Sequence, residues 1–505
     1  MPVDSTHPSY DRAIRAWELV RDTAFGGSRI VKSKGVRYLP ECYGQDAPQY
    51  NAFVFRANFF NVTKRTLGAY RGFIFAENPE VELGKAESSK NIKTLENDAT
   101  LSGRPFYDYQ KDVVGDVCSL GRTGTLVDWA DPALDDRPYF VRYETEDIIN
   151  WRYQVIAGRR ELVMLVLRER TSRDSNDDEY SPETVLRWRV CRLMRDAAGY
   201  FVKYTVFEKN TTGGFDEVDS KIPLRGIEPL TRIPFVFHNV RGEEAEPDEI
   251  PLEDLASTNV QHYQNSASLE QAIYLCGQPT LVLTGFKTEG EYIVGSTKAI
   301  VSAKDTAKAA WLQISAESVS AISAAMEAKE RQMAALGARM LEQQSSGKQA
   351  EAFETVQIRQ SGEVATLTDV AISCSLTLSR ILRWAVWWDD RTIEKPDELV
   401  EDVYVELNTD YTTSKMSPDQ AVKLFAIYQG SGMSYEEFFY NLQSGGLIRS
   451  ETLIEDEKKA LKERPIDLPD ATAGPMPPPR PGGAPPTKTG APPFGKPPAQ
   501  PPPTK

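Results

Sequence analysis

The chain has 505 residues, 40% of them hydrophobic and 10% aromatic, enough to build large cores and more than one folded unit, so wholesale disorder is excluded. Its 59 basic and 73 acidic residues leave a net charge of −14, which argues against a generic basic nucleic-acid binder. There are three histidines (His7, His238, His262) and five scattered cysteines (Cys42, Cys118, Cys191, Cys276, Cys374), none in CxxC spacing. They form no pattern for a zinc ribbon, a His-rich metal centre or a disulfide framework, and no metal or other cofactor is expected. Neither a secretory leader pattern nor a run of about 18 apolar residues occurs. A soluble product of a reducing cytoplasm, with no membrane partner, is the expectation.

The first 120 residues read as helical. Asp11 to Arg21 sets Ile14, Trp17, Leu19 and Val20 near one face, with Gly26–Gly27 as the stop. Tyr50 to Phe75 reads as one Phe-rich helix; Arg104–Pro105 opens another that runs to Leu120 and closes at Gly121. From Thr123 the period changes to two. Gly124–Trp129, Tyr139–Tyr143, Leu162–Glu169, Thr184–Leu193 and Phe201–Phe207 are strand candidates, with turns at Gly158, Gly199 and Gly213–Gly214. An apolar strand within Arg232–Val240 closes this layer, and the acidic loop Glu243–Glu249 follows. The class is α+β, predominantly helical.

Pro251 suits a first helical turn, and the helix it opens, to about Tyr274, is polar for its length, carrying Gln261, Gln264, Asn265, Ser266, Ser268 and Gln271. Such a helix needs a partner on one side. A strand insertion follows, Pro279–Gly285 and Lys298–Ser302. Ala316 to Leu341 then reads as a helix with a heptad seam of Val319, Ile322, Met326, Lys329, Met333, Leu336 and Met340. The polar stretch Glu342–Ala350 breaks the pattern before a second long helix, from Phe353 to about Trp388. A strand at Val403–Leu407 and helices opened by Ser417–Pro418 and by the capping-box pattern Ser434–Glu437 complete the folded part. Residues 466–505 hold 15 of the 33 prolines and read as a disordered or polyproline-II tail.

Motifs for chemistry fail one by one. Ser346-Gly347-Lys348-Gln349 lacks the P-loop's first glycine, because Glu342 stands there, and Gln349 replaces the Ser or Thr that would hold magnesium. Gly121-Arg-Thr-Gly124 suits a helix end leading into a strand better than an anion cradle. His238 has no Ser or Cys nucleophile beside it and reads as structural; His262, beside Tyr263 on the polar helix, reads as a subunit contact. Trp384, Trp387 and Trp388 read as core anchors of the long helix. No catalytic residue is assigned, and the chain is not expected to be an enzyme. Long helices that cannot satisfy themselves in one chain point instead to an oligomer.

The order of these parts, with IPFVFHN at Ile233–Asn239, PLEDLASTNVQHYQ at Pro251–Gln264, YLPE at Tyr38–Glu41, RPFYDY at Arg104–Tyr109 and WLQIS at Trp311–Ser315, resembles the portal proteins of tailed bacteriophages over roughly residues 10–460. The resemblance implies a wing domain over 1–249, a first stem helix over 250–274, a clip over 275–315 and a second stem helix over 316–342. A tunnel loop over 343–352, a long wing helix and return over 353–400, and wing or crown over 401–465 would follow. It further implies a ring of about twelve copies at one capsid vertex of a virion, assembled from protein made in the host cytoplasm. Double-stranded DNA would pass through the channel, with Arg339, Gln343, Gln344, Ser345, Ser346, Gly347, Lys348 and Gln349 facing it. The implied partners are the terminase large subunit, the major capsid or scaffolding protein, and head-completion or adaptor proteins. The alternatives are another virion structural oligomer, scaffold-like or adaptor, and a phosphate-directed enzyme built on the Ser-Gly-Lys loop.

Overall fold

The computed structural model describes residues 2–131, 135–173, 183–247, 249–276, 280–286, 302, 304–312, 316–338, 353–409, 411, 418–430, 432–445, 447–448 and 452–463. Two compact units divide the chain after Tyr411. Among the described residues no helix is long and apolar enough to cross a membrane.

The first unit mixes helix and strand. Helix α1 (Pro8–Arg21) starts with proline in its first turn, and its helical run reaches the expected stop at Gly26–Gly27. A π turn over Asp22–Gly26 carries the chain into α2 (Gly27–Ser33), Gly27 taking φ +64° at the junction. The single helix expected over Tyr50–Phe75 is two, α3 (Ala47–Arg56) and α4 (Val62–Ile74), because Asn61 caps α4 by accepting from the Lys64 amide. Next come strand β1 (Glu80–Glu82), the short α5 (Lys90–Thr94) and α6 (Phe106–Leu120), which ends at Gly121 in the left-handed region, φ +78°, as the sequence implies.

Strands β2 (Arg122–Trp129) and β3 (Pro138–Tyr143) follow, then β4 (Ile148–Ile156), β5 (Arg159–Arg173), β6 (Glu183–Arg195), β7 (Tyr200–Lys209) and β8 (Phe215–Lys221). The pairs β9 (Leu224–Arg225) with β10 (Glu228–Pro229) and β11 (Phe235–Asn239) with β2 close the layer. β11, β2 and β3 make a three-stranded sheet; β4 to β8 make a five-stranded antiparallel meander. The sheets meet through side chains: the Tyr143 hydroxyl donates to Glu169, while Asp128 takes Lys221 at 3.0 Å.

Arg122, at the start of β2, is fully buried and has no carboxylate in ion-pair range among the described residues. Its guanidinium lies over Trp151 (4.5 Å), Trp17 (5.0 Å) and Phe237 (5.8 Å) and donates to Thr145, Ile148 and the Ala245 carbonyl. Burial pulls its pKa down to about 9, so the cation survives at neutral pH on aromatic faces and carbonyl oxygens. Asn239 grips the same loop, donating to the Glu244 and Glu246 carbonyls. At the Gly121 turn a Cβ would stand 2.2 Å from the Glu249 carbonyl oxygen, so only glycine lets this strap lie down.

Helix α7 (Glu253–Cys276), strands β12 (Thr280–Thr284) and β13 (Lys308–Leu312), helix α8 (Ala316–Met333) and helix α9 (Phe353–Asp389) form the centre of the chain. Strand β14 (Tyr404–Glu406) then pairs with β1. From Leu367 onward α9 is a core helix: Val370, Ala371, Cys374, Leu378, Ile381, Leu382, Trp384, Ala385 and Trp388 are buried. Trp388 donates to the Leu224 carbonyl at 2.9 Å, and Trp384 meets Trp387 edge-on, the anchoring expected of this cluster.

The second unit holds α10 (Pro418–Gln429), α11 (Tyr435–Ser444) and α12 (Ile454–Glu463). The Ser434 half of the expected capping box forms, its hydroxyl accepting from the Glu437 amide at 3.1 Å, and Tyr428 stacks on Phe438 at 4.6 Å. The tail over 466–505 lies outside the described residues.

Candidate assembly surface

The α7–α8 pair is where the sequence places its unsatisfied surface, and α7 explains half of that surplus within the chain. Asn259, fully buried, accepts from the Val62 amide (3.1 Å), the Thr63 amide (3.3 Å) and the Thr63 hydroxyl (3.0 Å), and donates to the Phe60 carbonyl (2.8 Å). It thus serves as a cap for α4 supplied from another helix, satisfying amides that a helix start leaves without partners. Ser266 accepts from the Asn58 amide, Gln264 donates to the Tyr38 carbonyl and Gln271 accepts from Arg56. Polar residues on the inner side of α7 therefore clamp the α3–α4 junction.

His262 corrects an expectation. It is not a free subunit contact: it is buried, with Nε2 at 3.2 Å from Glu330 of α8. His262 and Glu330 lie equally far from the ends joined by the insertion, so the helices run antiparallel, and each projects about 21 Å beyond that contact. The seam of α8 is half-buried through Val319, Ile322, Met326 and Lys329, and closes on buried Met333. The helix does not continue unbroken to Leu341. A π turn over Ala334–Ala338 ends in Gly337 at φ +155°, and a Cβ there would meet Thr66 Cγ2 at 2.8 Å and the Tyr70 hydroxyl at 3.0 Å. Close packing on α4 decides that break.

On its other side the pair is open. Ile273 and Leu275 at the end of α7 are 49 and 43% exposed, Tyr274 between them is 44% exposed with the Arg56 guanidinium over its ring at 4.3 Å, and Trp311 on β13 is 53% exposed. Ala321, Ala324, Ala325 and Ala328, at helical spacing on α8, are exposed as well. Small side chains in that spacing let another helix approach at close range. Helix α7 has no Lys or Arg and carries Glu253, Asp254 and Glu270; α8 carries Glu317, Glu327 and Glu330 against Lys329 and Arg331. The pair is acidic.

The insertion is an antiparallel hairpin in which Thr280 faces Leu312 and Thr284 faces Lys308. Its second strand lies further along the chain than the expected Lys298–Ser302, of which only Ser302 is described and is not in a strand. Arg339, Gln343, Gln344, Ser345, Ser346, Gly347, Lys348 and Gln349 lie outside the described residues. His238 sits between the Thr125 and Thr377 hydroxyls, each at 2.8 Å, and burial pulls its pKa down to about 3. It is a neutral bridge between β11 and α9, as the structural reading holds.

Residues 251–389, from the root of α7 to the end of α9, match a family described only as a domain of unknown function, DUF4055. No curated protein matches the chain. Among solved structures, the chain is similar to one in the neck of a native gene transfer agent (GTA) particle computed with C12 symmetry, with TM-score 0.36 and 10% identity over 82% of this chain and 98% of that one. It is similar to a chain in the neck of an empty GTA particle computed with C6 symmetry, with TM-score 0.35, 10% identity and the same coverage. A third likeness, to a chain in the virion of a native GTA particle, has TM-score 0.36 and 11% identity over 86% of this chain and 99% of that one.

Proposed function

We propose that this chain is the subunit of a portal ring of the tailed-phage type, a structural component of a virion and not an enzyme. About twelve copies close around a channel at one capsid vertex, through which double-stranded DNA is packaged and ejected. The observation that carries this reading is the antiparallel pair α7–α8. Its root is pinned into the body by buried polar contacts, while its outer end leaves Ile273, Tyr274, Leu275, Trp311 and an alanine stripe exposed. A helix pair held to the body on one side, as far along α7 as Gln271 and Tyr274 on Arg56, and bare on its other side is the part a neighbouring copy would cover, and contacts repeated with one rotation close a ring. The acidic character of the pair fits a passage for DNA, since a continuous basic lining would hold the phosphates in place. Terminase, capsid or scaffolding protein, and head-completion or adaptor proteins would dock on such a ring. Native mass spectrometry and negative-stain class averages of the purified chain test the proposal. Rings of about twelve copies with a central hole are expected, and Ala325→Trp should abolish them. A folded monomer at every concentration and salt condition would refute the ring.

A further inference from the structure

Resting on the ring proposed above, we infer that the outer side of the five-stranded sheet of one copy binds the exposed β1–β14 ledge of the next. The registers carry this inference. Leu165, Cys191 and Tyr204 lie side by side across β5, β6 and β7 and are buried on the inner side of the sheet. The adjacent row, pointing the opposite way, is Arg152, Met164, Arg192 and Lys203. Arg192 is directly opposite Lys203, a like-charge pairing that an antiparallel ladder disfavours. Arg152 and Arg192 are exposed and have no ion pair among the described residues; Lys203 has only Glu217, at 3.9 Å. Elsewhere on this side Arg168 and Arg170 both hold Asp147.

The ledge has the same anomaly with the sign reversed. Glu80 is directly opposite Glu406 in the β1–β14 pairing, and all of β1 is exposed. Neither carboxylate has an ion pair among the described residues; Glu80 only accepts from the Tyr404 hydroxyl at 3.4 Å. Glu82 flanks them on the same exposed strand, and the surrounding carboxylates, Glu80 foremost, raise the pKa of the Tyr404 hydroxyl.

Where the like-charge pair Glu208–Asp216 is answered by Arg173 and Arg187, these two pairs of opposite sign have among the described residues only the long Lys203–Glu217 contact. Two different, complementary patches on one chain are what a head-to-tail contact requires, and a head-to-tail contact is what closes into a ring. The partner of each patch is therefore a second copy of this chain, and opposite charges also favour that docking over others.

The test reverses charges while leaving each like-charge pair intact. One variant is Arg192→Glu with Lys203→Glu; the other is Glu80→Lys with Glu406→Lys. Each alone should raise the protomer concentration needed for half-assembly by about tenfold or more at low salt, with the wild-type far-UV spectrum and melting curve retained. An equimolar mixture of the two, in which every contact is again complementary, should restore rings, as should one chain carrying all four changes. The neutral Arg192→Gln, Lys203→Gln variant should fall between. If wild-type rings form and the reversed variants assemble equally well, the contact is wrong while the ring stands; failure of the mixture to rescue also overturns it. A wild-type chain that never forms rings removes both. Normal rings of the arginine and lysine variants with weakened retention on DNA would assign the row to nucleic acid instead and overturn the contact.

Discussion

Replacing Asn259 by alanine tests whether the helix pair is held at its root by the contacts that make α7 so polar. The side chain is fully buried, and its removal leaves the Thr63 amide without its partner and the Val62 amide and Phe60 carbonyl with only their 3.0 Å bond to each other. A buried polar group left unpaired costs about 1–3 kcal/mol, and with local relaxation this site should lose about 3 kcal/mol, roughly a 150-fold shift toward the open form. Urea unfolding gives the total, and hydrogen exchange at the Val62 and Thr63 amides gives the local part. Asn259→Asp keeps the acceptor and places its charge at the start of α4, where the helix dipole favours it, so it should lose about half as much. Unchanged exchange at both amides and stability within about 0.5 kcal/mol of wild type in the alanine variant would refute this account of the root.

His238 gives a pH signature. Its pKa falls from the ordinary 6.5 to about 3 on burial, so its contribution is present above pH 6.5 and is lost as pH falls toward 3, by at most about 1.4 kcal/mol per unit. Urea midpoints of His238→Asn should lack that part of the acid slope. Gly121→Ala forces a Cβ against the Glu249 carbonyl at a positive φ, and should lower the melting temperature by more than an Ala substitution at the solvent-open Gly158, which also has positive φ. Deletion of 343–349 should leave rings visible by negative stain while shortening the DNA packaged per particle, with Lys348→Ala giving a milder loss; full-length, retained genomes would remove the channel role from these residues.

Signals with a local physical cause were legible in the sequence. Gly121 after an amphipathic run marks a left-handed helix end, and alternation marks β2, β3 and β5 to β7. Strand β8 escaped because FDEVDSK is an exposed edge whose acidic residues give no apolar alternation. Helix α3 runs on toward α4 in sequence because Phe59 and Phe60 continue the apolar pattern, and the break joins a local cap, Asn61, to a remote one, Asn259, nearly 200 residues away. The π turn at Gly337 likewise depends on Thr66 and Tyr70. The polarity of α7 was visible, but its division between an inner side used at once and an outer end left bare is a tertiary fact. Like-charge pairing at Arg192 and Glu80 is invisible without register.

The Arg122 guanidinium joins three stretches of chain that are remote in sequence: the start of β2, the turn at Thr145–Ile148 and the strap at Ala245. None can leave alone without stranding a cation among three aromatic rings, so the three open together or not at all. The strap is also the last turn of chain before α7. The foot of the helix pair is therefore tied to a fully buried junction, and a load on the pair would be shared by that junction instead of being absorbed in a soft linker.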